Sequence, residues 1–386
     1  MDFTLTDEQQ MLIEMTHNFV EKEMLPHEET LERTDTLPPK LAASLKKRAI
    51  ELGLHACNLP EEVGGGGLDA VSVMLIEKEL GRTSLALAEC AHRPLNILAS
   101  CEGEQVKKFL EPTIRGEKRD CIAMTEPGAG SDLRGMKCKA ELDKDEWIIN
   151  GEKHFISQAS ISDYCVLFAA TGEDETDKGL KKRISAFLVD FNDHGVEVAP
   201  GYKNVSHRGY TNNILRFDNA RIPQWRIMGP EGDGFRIVNQ WLGPTRLTVA
   251  ATCVARAERA FEIALNYSAT REQFGQKIGK FQGISFELAD MATEIKMANL
   301  MLLETAWKID QGSVTPEDCA MTKLFCSEML SRVADQSIQT VGGMGLMEDL
   351  PLERIWRDAR LERIWDGTSE IQRHIISRGL LRPLEK

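Results

Sequence analysis

EWIINGEKHFIS, residues Glu146–Ser157, is the stretch on which the reading of this chain turns. It carries two β-like runs on either side of Asn150-Gly151, and Asn-Gly is the strongest short signal for a two-residue hairpin turn. The reading therefore predicts a hairpin that turns at Asn150-Gly151. DYCVLFAAT, RISAFLVDF and NNILRFDNARIP continue the series, so the span from about Cys121 to Gly229 reads as short strands.

On both sides the period changes. Upstream, TDEQQMLIEMTHNFVEKEM offers Thr6 as an N-cap with Glu8 and Gln9 in the first turn. Apolar residues then recur at Met11, Met15, Phe19 and Val20, which fits a helix. PKLAASLKKRAIELGL and AVSVMLIEKELGR repeat that pattern, and the EEVGGGG between them can only be a loop. Downstream from about Gly232, three long stretches regain the helical period and are long enough for an up-down bundle. The plan is α, then β, then α. It divides into a helical N-terminal domain (1–120), a middle β domain (121–231) and a C-terminal helical bundle domain (232–386).

With 386 residues the chain is too long for one simple core. The formal net charge of −13 argues against nucleic acid and against an anionic membrane surface. No run approaches the roughly 18 apolar residues of a membrane span. The acidic start MDFTLTDEQQ is unlike a signal or transit peptide, so a cytoplasmic location is expected. The 9 cysteines are scattered without a C-x-x-C pair and read as free thiols in a reducing compartment. The 8 histidines form no metal-ligand spacing, so no metal site is expected.

Four segments could carry chemistry. In AMTEPGAGSD (Ala123–Asp132), Gly128 and Gly130 expose backbone N–H groups, and Thr125 and Ser131 add hydroxyls. A plain Gly-rich linker fits that segment as well. In TREQFGQKIGKFQ (Thr270–Gln282), Arg271 could grip a phosphate and Phe274 could pack on a flat ring; a solvated helix connection is the alternative. QTVGGMG (Gln339–Gly345) either meets a ligand or ends a helix. RIWDGTSEIQRHII holds Asp366 on an Asp-Gly turn between two helices, where a solvated turn acid is the plainer reading.

No one of these is specific, but their order on an α–β–α plan is. With NGEKHFIS, FDNARIP and RDARLERIWDGTSEIQR, the chain resembles the acyl-CoA dehydrogenase family of flavoproteins over nearly its whole length. The resemblance implies an α+β fold: an all-α N-terminal domain, a middle β-barrel-like domain and a C-terminal four-helix bundle. It implies FAD between the last two domains, met by Thr125, Ser131, Phe155 and Ser157 around the isoalloxazine. Arg271, Phe274, Gln282, Gln339 and Gly343 would hold the adenine-dinucleotide part across a subunit contact, and Thr368 its phosphate side. Ser131, Arg246 and Gly367 would face the substrate. It further implies a homotetramer and an electron-transferring flavoprotein as partner.

Desaturating a thioester requires a base over the α-carbon in a water-poor cleft, its pKa raised by burial. In many members a glutamate before Gly-Thr is that base, and Asp366 holds its position. Aspartate is shorter by about 1.5 Å, and a misplacement of that order can cost roughly 10²-fold in rate. Some members carry the base near GPTR, but here Thr245 and Arg246 offer no acid. Phe155 stands where many relatives have tryptophan, and Tyr210 where a small residue is usual. The presumed pocket segment SLALAECAHRPLN brings Glu89, His92 and Arg93, which either pair with a polar acyl group or face solvent. Should Asp366 not be the base, Glu89 is the next candidate. A branched, cyclic or polar acyl group is favoured over a simple straight chain. An enoyl-CoA reductase on the same fold and a non-catalytic flavin-binding protein are the alternative readings.

Overall fold

The computed structural model describes residues 4–176 and 179–385. The N-terminal helices are α1 (Asp7–Phe19), α2 (Glu28–Thr34), α3 (Pro39–Glu51), α4 (Ala70–Leu80), α5 (Leu85–Ala88) and α6 (Glu111–Ile114). Thr6 caps α1 in a full capping box with Gln9, as the sequence predicts. Met11 is an exception to the predicted apolar face, because it is exposed.

Eight strands follow: β1 (Asp120–Ala123), β2 (Lys139–Asp143), β3 (Glu146–Ser157), β4 (Tyr164–Thr176), β5 (Gly179–Asp190), β6 (Val196–Pro200), β7 (Asn212–Pro223) and β8 (Ile227–Met228). They form one curled sheet in the order β6-β7-β3-β2-β4-β5-β8, with β1 parallel to β4. The near-continuous apolar run in β4 is explained by burial on both faces. Tyr164, Val166 and Phe168 pack against Phe109 and Ile237, while Cys165, Leu167 and Ala169 pack inside the curl with Trp147 and Leu215.

The predicted hairpin at Asn150-Gly151 is not there. β3 runs through both residues, paired with β2 on one side and β7 on the other. The chain turns instead at Lys144-Asp145, where Lys144 takes a left-handed φ of 58°. Asn150 faces a bulge in β7, and its Oδ1 accepts the Asn219 N–H at 2.9 Å. A residue other than glycine at position 151 would drive its Cβ to 2.7 Å from Cys138 Cα. The dipeptide thus serves a bulge and a close approach rather than a turn.

The C-terminal region holds α7 (Gly234–Thr270), α8 (Gln282–Asp310), α9 (Pro316–Val341), α10 (Leu352–Glu362) and α11 (Ser369–Leu381). Between α7 and α8, β9 (Glu272–Gln273) and β10 (Gln276–Lys277) make a small hairpin. In α9 the buried Cys326, Met329, Leu330, Val333, Ser337 and Val341 follow the helical period and turn one stripe inward. One apolar core joins the two helical regions, with Leu45, Ile76 and Leu80 packing among Val254, Leu302 and Leu330. α4 therefore lies on the bundle, and the space between α4, α7 and the sheet is enclosed on three sides. Among the described residues, no helix is long and apolar enough to cross a membrane, and no cluster of three or more potential metal ligands occurs.

Candidate active site

That space is a cavity of about 490 Å³. α7 lines it with Trp241, Thr245, Thr248 and Thr252, one face of the helix at a spacing of three or four residues. Pro244 lies inside α7 and lacks the N–H that would bond Gln240. The freed Gln240 carbonyl accepts from the Asn96 side chain at 3.1 Å, so the wall at the proline stays satisfied. α4 contributes Val73, Met74 and Glu77, and the sheet contributes Asp120, Cys121, Ile122 and Ser157. Tyr210, Trp365 and Asp366 line it too, as do Glu89, His92, Arg93 and Arg119.

Asp366 sits between α10 and α11 at a left-handed φ of 52°, and Gly367 follows at 96°. The φ of 96° is a left-handed backbone that favours glycine at position 367, and a Cβ there would also crowd Gln372 Nε2 at 2.7 Å. The turn is tied from beneath. Gln372 Nε2 donates to the Gly367 carbonyl at 2.8 Å and to that of Asp366 at 3.3 Å, and the wholly buried Lys323 donates to the Gly367 carbonyl at 3.0 Å. Trp365 Nε1 donates to Glu362 at 2.7 Å, and Glu362 itself is paired with Arg256 at 2.6 Å. Burial pushes the Asp366 carboxyl up to about 6; Lys323 opposes the rise, Glu362 adds to it and Arg246 opposes it. A carboxyl poised there can take a proton near neutral pH. Arg246 does not line the cavity; its guanidinium lies buried under the turn, beside Gly367.

Glu89, His92 and Arg93 do not face solvent. Arg93 forms a two-pronged pair with Glu77 at 2.6 and 2.8 Å, Arg119 bonds Glu89 at 2.9 Å, and His92 meets Asp120 at 2.6 Å. Burial would raise the Glu89 carboxyl, but His92, Arg93 and Arg119 outweigh it and hold it down at about 2. An acid so held is a poor base at neutral pH. Burial pushes the Tyr210 phenol up, with Glu89 adding to the rise, so its hydroxyl stays a donor.

The middle-domain residues gather at one corner of the sheet. Thr125 lies beside β3, its carbonyl accepting the His154 N–H at 2.8 Å. The loop that follows is held by Glu126, which accepts from the backbone of Lys137 and Cys138 and from buried Lys153 at 2.7 Å. Its tip leaves Ser131 exposed and the would-be Cβ positions of Gly128 and Gly130 in open space. A bulge in β3 puts Phe155 at a φ of 58°, 56% exposed, with its ring centroid 5.2 Å from that of Tyr202. Ser157 reaches the cavity; Thr125, Ser131 and Phe155 lie outside it.

Arg271, Phe274, Gln282, Gln339 and Gly343 cluster at the far end of the bundle, and all are exposed. Gln336 of α9 bonds Glu287 of α8, which sets the start of α8 beside the end of α9. The side chains of Arg271, Gln282 and Gln339 have no hydrogen bond or ion pair with any described residue. Phe274 is 94% exposed. Thr368 does cap α11, accepting from Ile371 N at 3.3 Å, while Ser369 N is taken by the Arg363 carbonyl. A phosphate at that helix end would compete with these contacts. The residues otherwise fit FAD: bare glycine backbone at 128, 130, 342 and 343, an exposed ring, and unpaired amide and guanidinium donors for a pyrophosphate and a nucleotide.

Sequence reasoning missed Lys323, Gln372, Glu126, Lys153, Arg119 and Asp120. Each works through a partner 5 to 44 positions away, with no local motif.

Models of the acyl-CoA dehydrogenase N-terminal, middle and C-terminal domains match residues 6–117, 121–220 and 232–381. The probable acyl-CoA dehydrogenase YngJ of Bacillus subtilis is 38% identical, covering 99% of this chain and 100% of the relative. Butyryl-CoA dehydrogenase from Megasphaera elsdenii has the same fold, with a TM-score of 0.90 at 31% identity over 99% of this chain and 100% of that one. The FAD complex of PigA matches with a TM-score of 0.90 at 31% identity, covering 98% of this chain and 99% of that chain. The chain belongs to the acyl-CoA dehydrogenase family, flavoprotein oxidoreductases that use FAD and act on the CH–CH group of acyl-CoA.

Proposed function

We propose that the protein desaturates an acyl-CoA thioester to its 2-enoyl-CoA, with Asp366 removing the α-proton. The observation that carries this is a carboxyl on a fixed turn, lining a cavity walled by α4, α7 and the sheet, with its pKa raised to about 6. FAD, when bound, would supply the acceptor for the β-hydride. Asp366 takes the proton into its carboxyl, and the turn beneath it holds that carboxyl in place. Its backbone N–H would be one donor for the charge that develops on the thioester oxygen. Arg246 keeps a positive charge under the turn. Ser157 and Tyr210 border the same space with hydroxyl donors, and Thr245, Thr248 and Thr252 of α7 line it as well.

Thr125, Ser131 and Phe155 form the rim on which a flat ring would rest. Thr368 stands at the phosphate side. Arg271, Phe274, Gln282, Gln339 and Gly343 serve the nucleotide half of a cofactor bound mainly by another copy of the chain, within a homotetramer. What supports this is their exposure and lack of internal partners. Electrons would leave past Phe155 to an electron-transferring flavoprotein. The three divisions 1–120, 121–231 and 232–386 would then supply the wall, the rim and the base, respectively. The test is anaerobic bleaching of the bound flavin by a panel of acyl-CoA thioesters. Flavin that no thioester bleaches would end this reading.

A further inference from the structure

We propose that Glu362 is a positioning residue for the reaction: one buried carboxylate that fixes Trp365, and with it the loop carrying Tyr210, into the cavity wall beside Asp366. The inference rests on the acyl-CoA reading above and adds a residue that itself touches neither substrate nor cofactor.

Glu362 is the last residue of α10 and is wholly buried. Each of its oxygens has its own donor. Oε2 accepts from Trp365 Nε1 at 2.7 Å, and Oε1 accepts from Arg256 of α7 at 2.6 Å. His207 Nε2 lies 3.2 Å from that same Oε1 and 3.2 Å from Arg256 Nη1. His207 belongs to the loop between β6 and β7, at a left-handed φ of 51°. Its backbone N–H donates to Asp358 Oδ1 of α10 at 2.7 Å, and the Gly209 N–H donates to Asp35 Oδ1, just after α2, at 2.8 Å.

Three residues beyond His207, Tyr210 joins Trp365 in the cavity lining. The rings pack as one group. The His207 and Trp365 centroids are 5.1 Å apart, and Tyr210 meets Trp365 edge-on at 6.4 Å and 82°. Glu362 therefore joins the bundle, the middle-domain loop and the residue that precedes Asp366. A bond that fixes the Trp365 ring also fixes the wall against which an acyl group would lie.

Filling this space needs no charge. Well-packed apolar side chains often replace a buried ion pair without loss of stability, because desolvating two charges offsets their attraction. A carboxylate adds what packing lacks, two directed acceptors and a fixed charge near the base. Three charged groups act on Asp366: Lys323 from α9 and Arg246 from α7 oppose the rise in its pKa, and Glu362 from α10 adds to it. Burial keeps the nearby Cys253 and Cys319 thiols and the Tyr210 phenol protonated. Glu362 itself is faced by Arg256, His207 and Lys323, with Asp358 behind Arg256 and His207.

The experiment compares two flavin-loaded double variants, Arg256→Met/Glu362→Gln and Arg256→Met/Glu362→Met, so that no lone cation is left buried. Both lose the Glu362 charge, but only glutamine keeps an acceptor for Trp365. With saturating thioester, the glutamine variant should reduce its flavin within about threefold of the wild-type rate. The methionine variant should be roughly 10- to 100-fold slower, the cost of a wall displaced by about 1 Å. In both, the rising limb of the pH profile should move to lower pH, opposite to the effect of removing Lys323. Equal rates in the two variants, or an unmoved limb, would overturn the inference. Trp365→Phe breaks the same bond without disturbing the ion pair, so it tests the idea should the double variants not fold. It should slow reduction by roughly tenfold with the limb in place, and a normal rate there would also overturn the inference. If no thioester bleaches the wild-type flavin, the acyl-CoA reading falls by itself. The charge is then read without substrate, from the stability difference between each protein and its Asp366→Asn counterpart. The pH midpoint of that difference should still lie lower in the double variants, and an unmoved midpoint would count against Glu362.

Discussion

Two turns in this molecule share a backbone and differ in almost everything else. Phe274-Gly275 closes the β9–β10 hairpin with φ values of 50° and 79°, and Asp366-Gly367 joins α10 to α11 with 52° and 96°. A non-glycine residue pays about 1–2 kcal/mol for that left-handed backbone, and a bulky aromatic residue is the rarer occupant. Phe274 is almost wholly exposed and its neighbour Arg271 has no partner. The Asp366-Gly367 turn is tied from below by Lys323 and Gln372, and Asp366 lines the cavity. Strain is kept in both, but only the second turn has a residue that lines the cavity. Along α9, Gln339 lies roughly 16 Å beyond Glu328, the partner of Ser369, at about 1.5 Å per residue. We infer that one end of the bundle performs chemistry while the other waits for a cofactor that a second copy presents.

The comparison breaks most sharply at Asp366. Asp366→Asn should retain FAD but slow flavin reduction by acyl-CoA by roughly 10²–10⁴-fold, the usual cost of losing a general base; stopped-flow absorbance reads this directly. A normal rate in that variant would put the base elsewhere.

At the other turn, Arg271→Ala should weaken FAD binding by about 10- to 100-fold through loss of a charge-assisted contact. The ratio of flavin to protein absorbance, with the oligomer followed by size exclusion, checks this. Full flavin in a monomeric variant would contradict the two-copy reading.

Lys323→Met sharpens the contrast in electrostatics. The wild-type rate should rise with pH through about 6, because the base must be deprotonated. Lys323 lowers the Asp366 pKa, so removing it should move the rising limb to higher pH and cost about threefold to tenfold at neutral pH. An unmoved limb would mean that Lys323 only supports the backbone.

The same titration predicts a stability effect. Below the unfolded value of 3.8 the carboxyl is protonated in both states, and it costs nothing extra to bury. As pH rises through about 6, the folded protein must hold a charge that the unfolded chain holds in water. Asp366→Asn should therefore be more stable than wild type at pH 8, by on the order of 1–2 kcal/mol after allowing for partial exposure. The difference should shrink as pH falls from 6 and vanish only well below 3.8, and thermal denaturation across that range measures it.

Phe274→Asn is the smallest test. Asparagine tolerates the left-handed backbone, so the hairpin should survive while FAD affinity falls by about 2- to 10-fold with loss of ring packing. Unchanged affinity, read by flavin fluorescence on release, would leave the exposed ring unexplained.

The sequence alone determined what depends on near neighbours. The period of the apolar residues fixes α–β–α, because a helix or strand buries a stripe set by its own repeat. The Thr6 capping box and the Asp366-Gly367 turn were legible for the same reason: all their atoms lie within a few residues. Asn150-Gly151 marks the limit. Its local signal was the right one for a hairpin, but β2 and β7 pair with β3 on both sides, and that pairing outweighs one dipeptide. The tertiary structure alone decided that Glu89 is locked to Arg119, that Lys323 lies beneath the Asp366-Gly367 turn, and that Phe155 sits on a bulge. Each depends on contacts between residues far apart in the chain, and a pKa depends on the charges and burial that those contacts create. A carboxylate's identity is written in the sequence, but whether it is a base or half of an ion pair is set by what folding brings to its side.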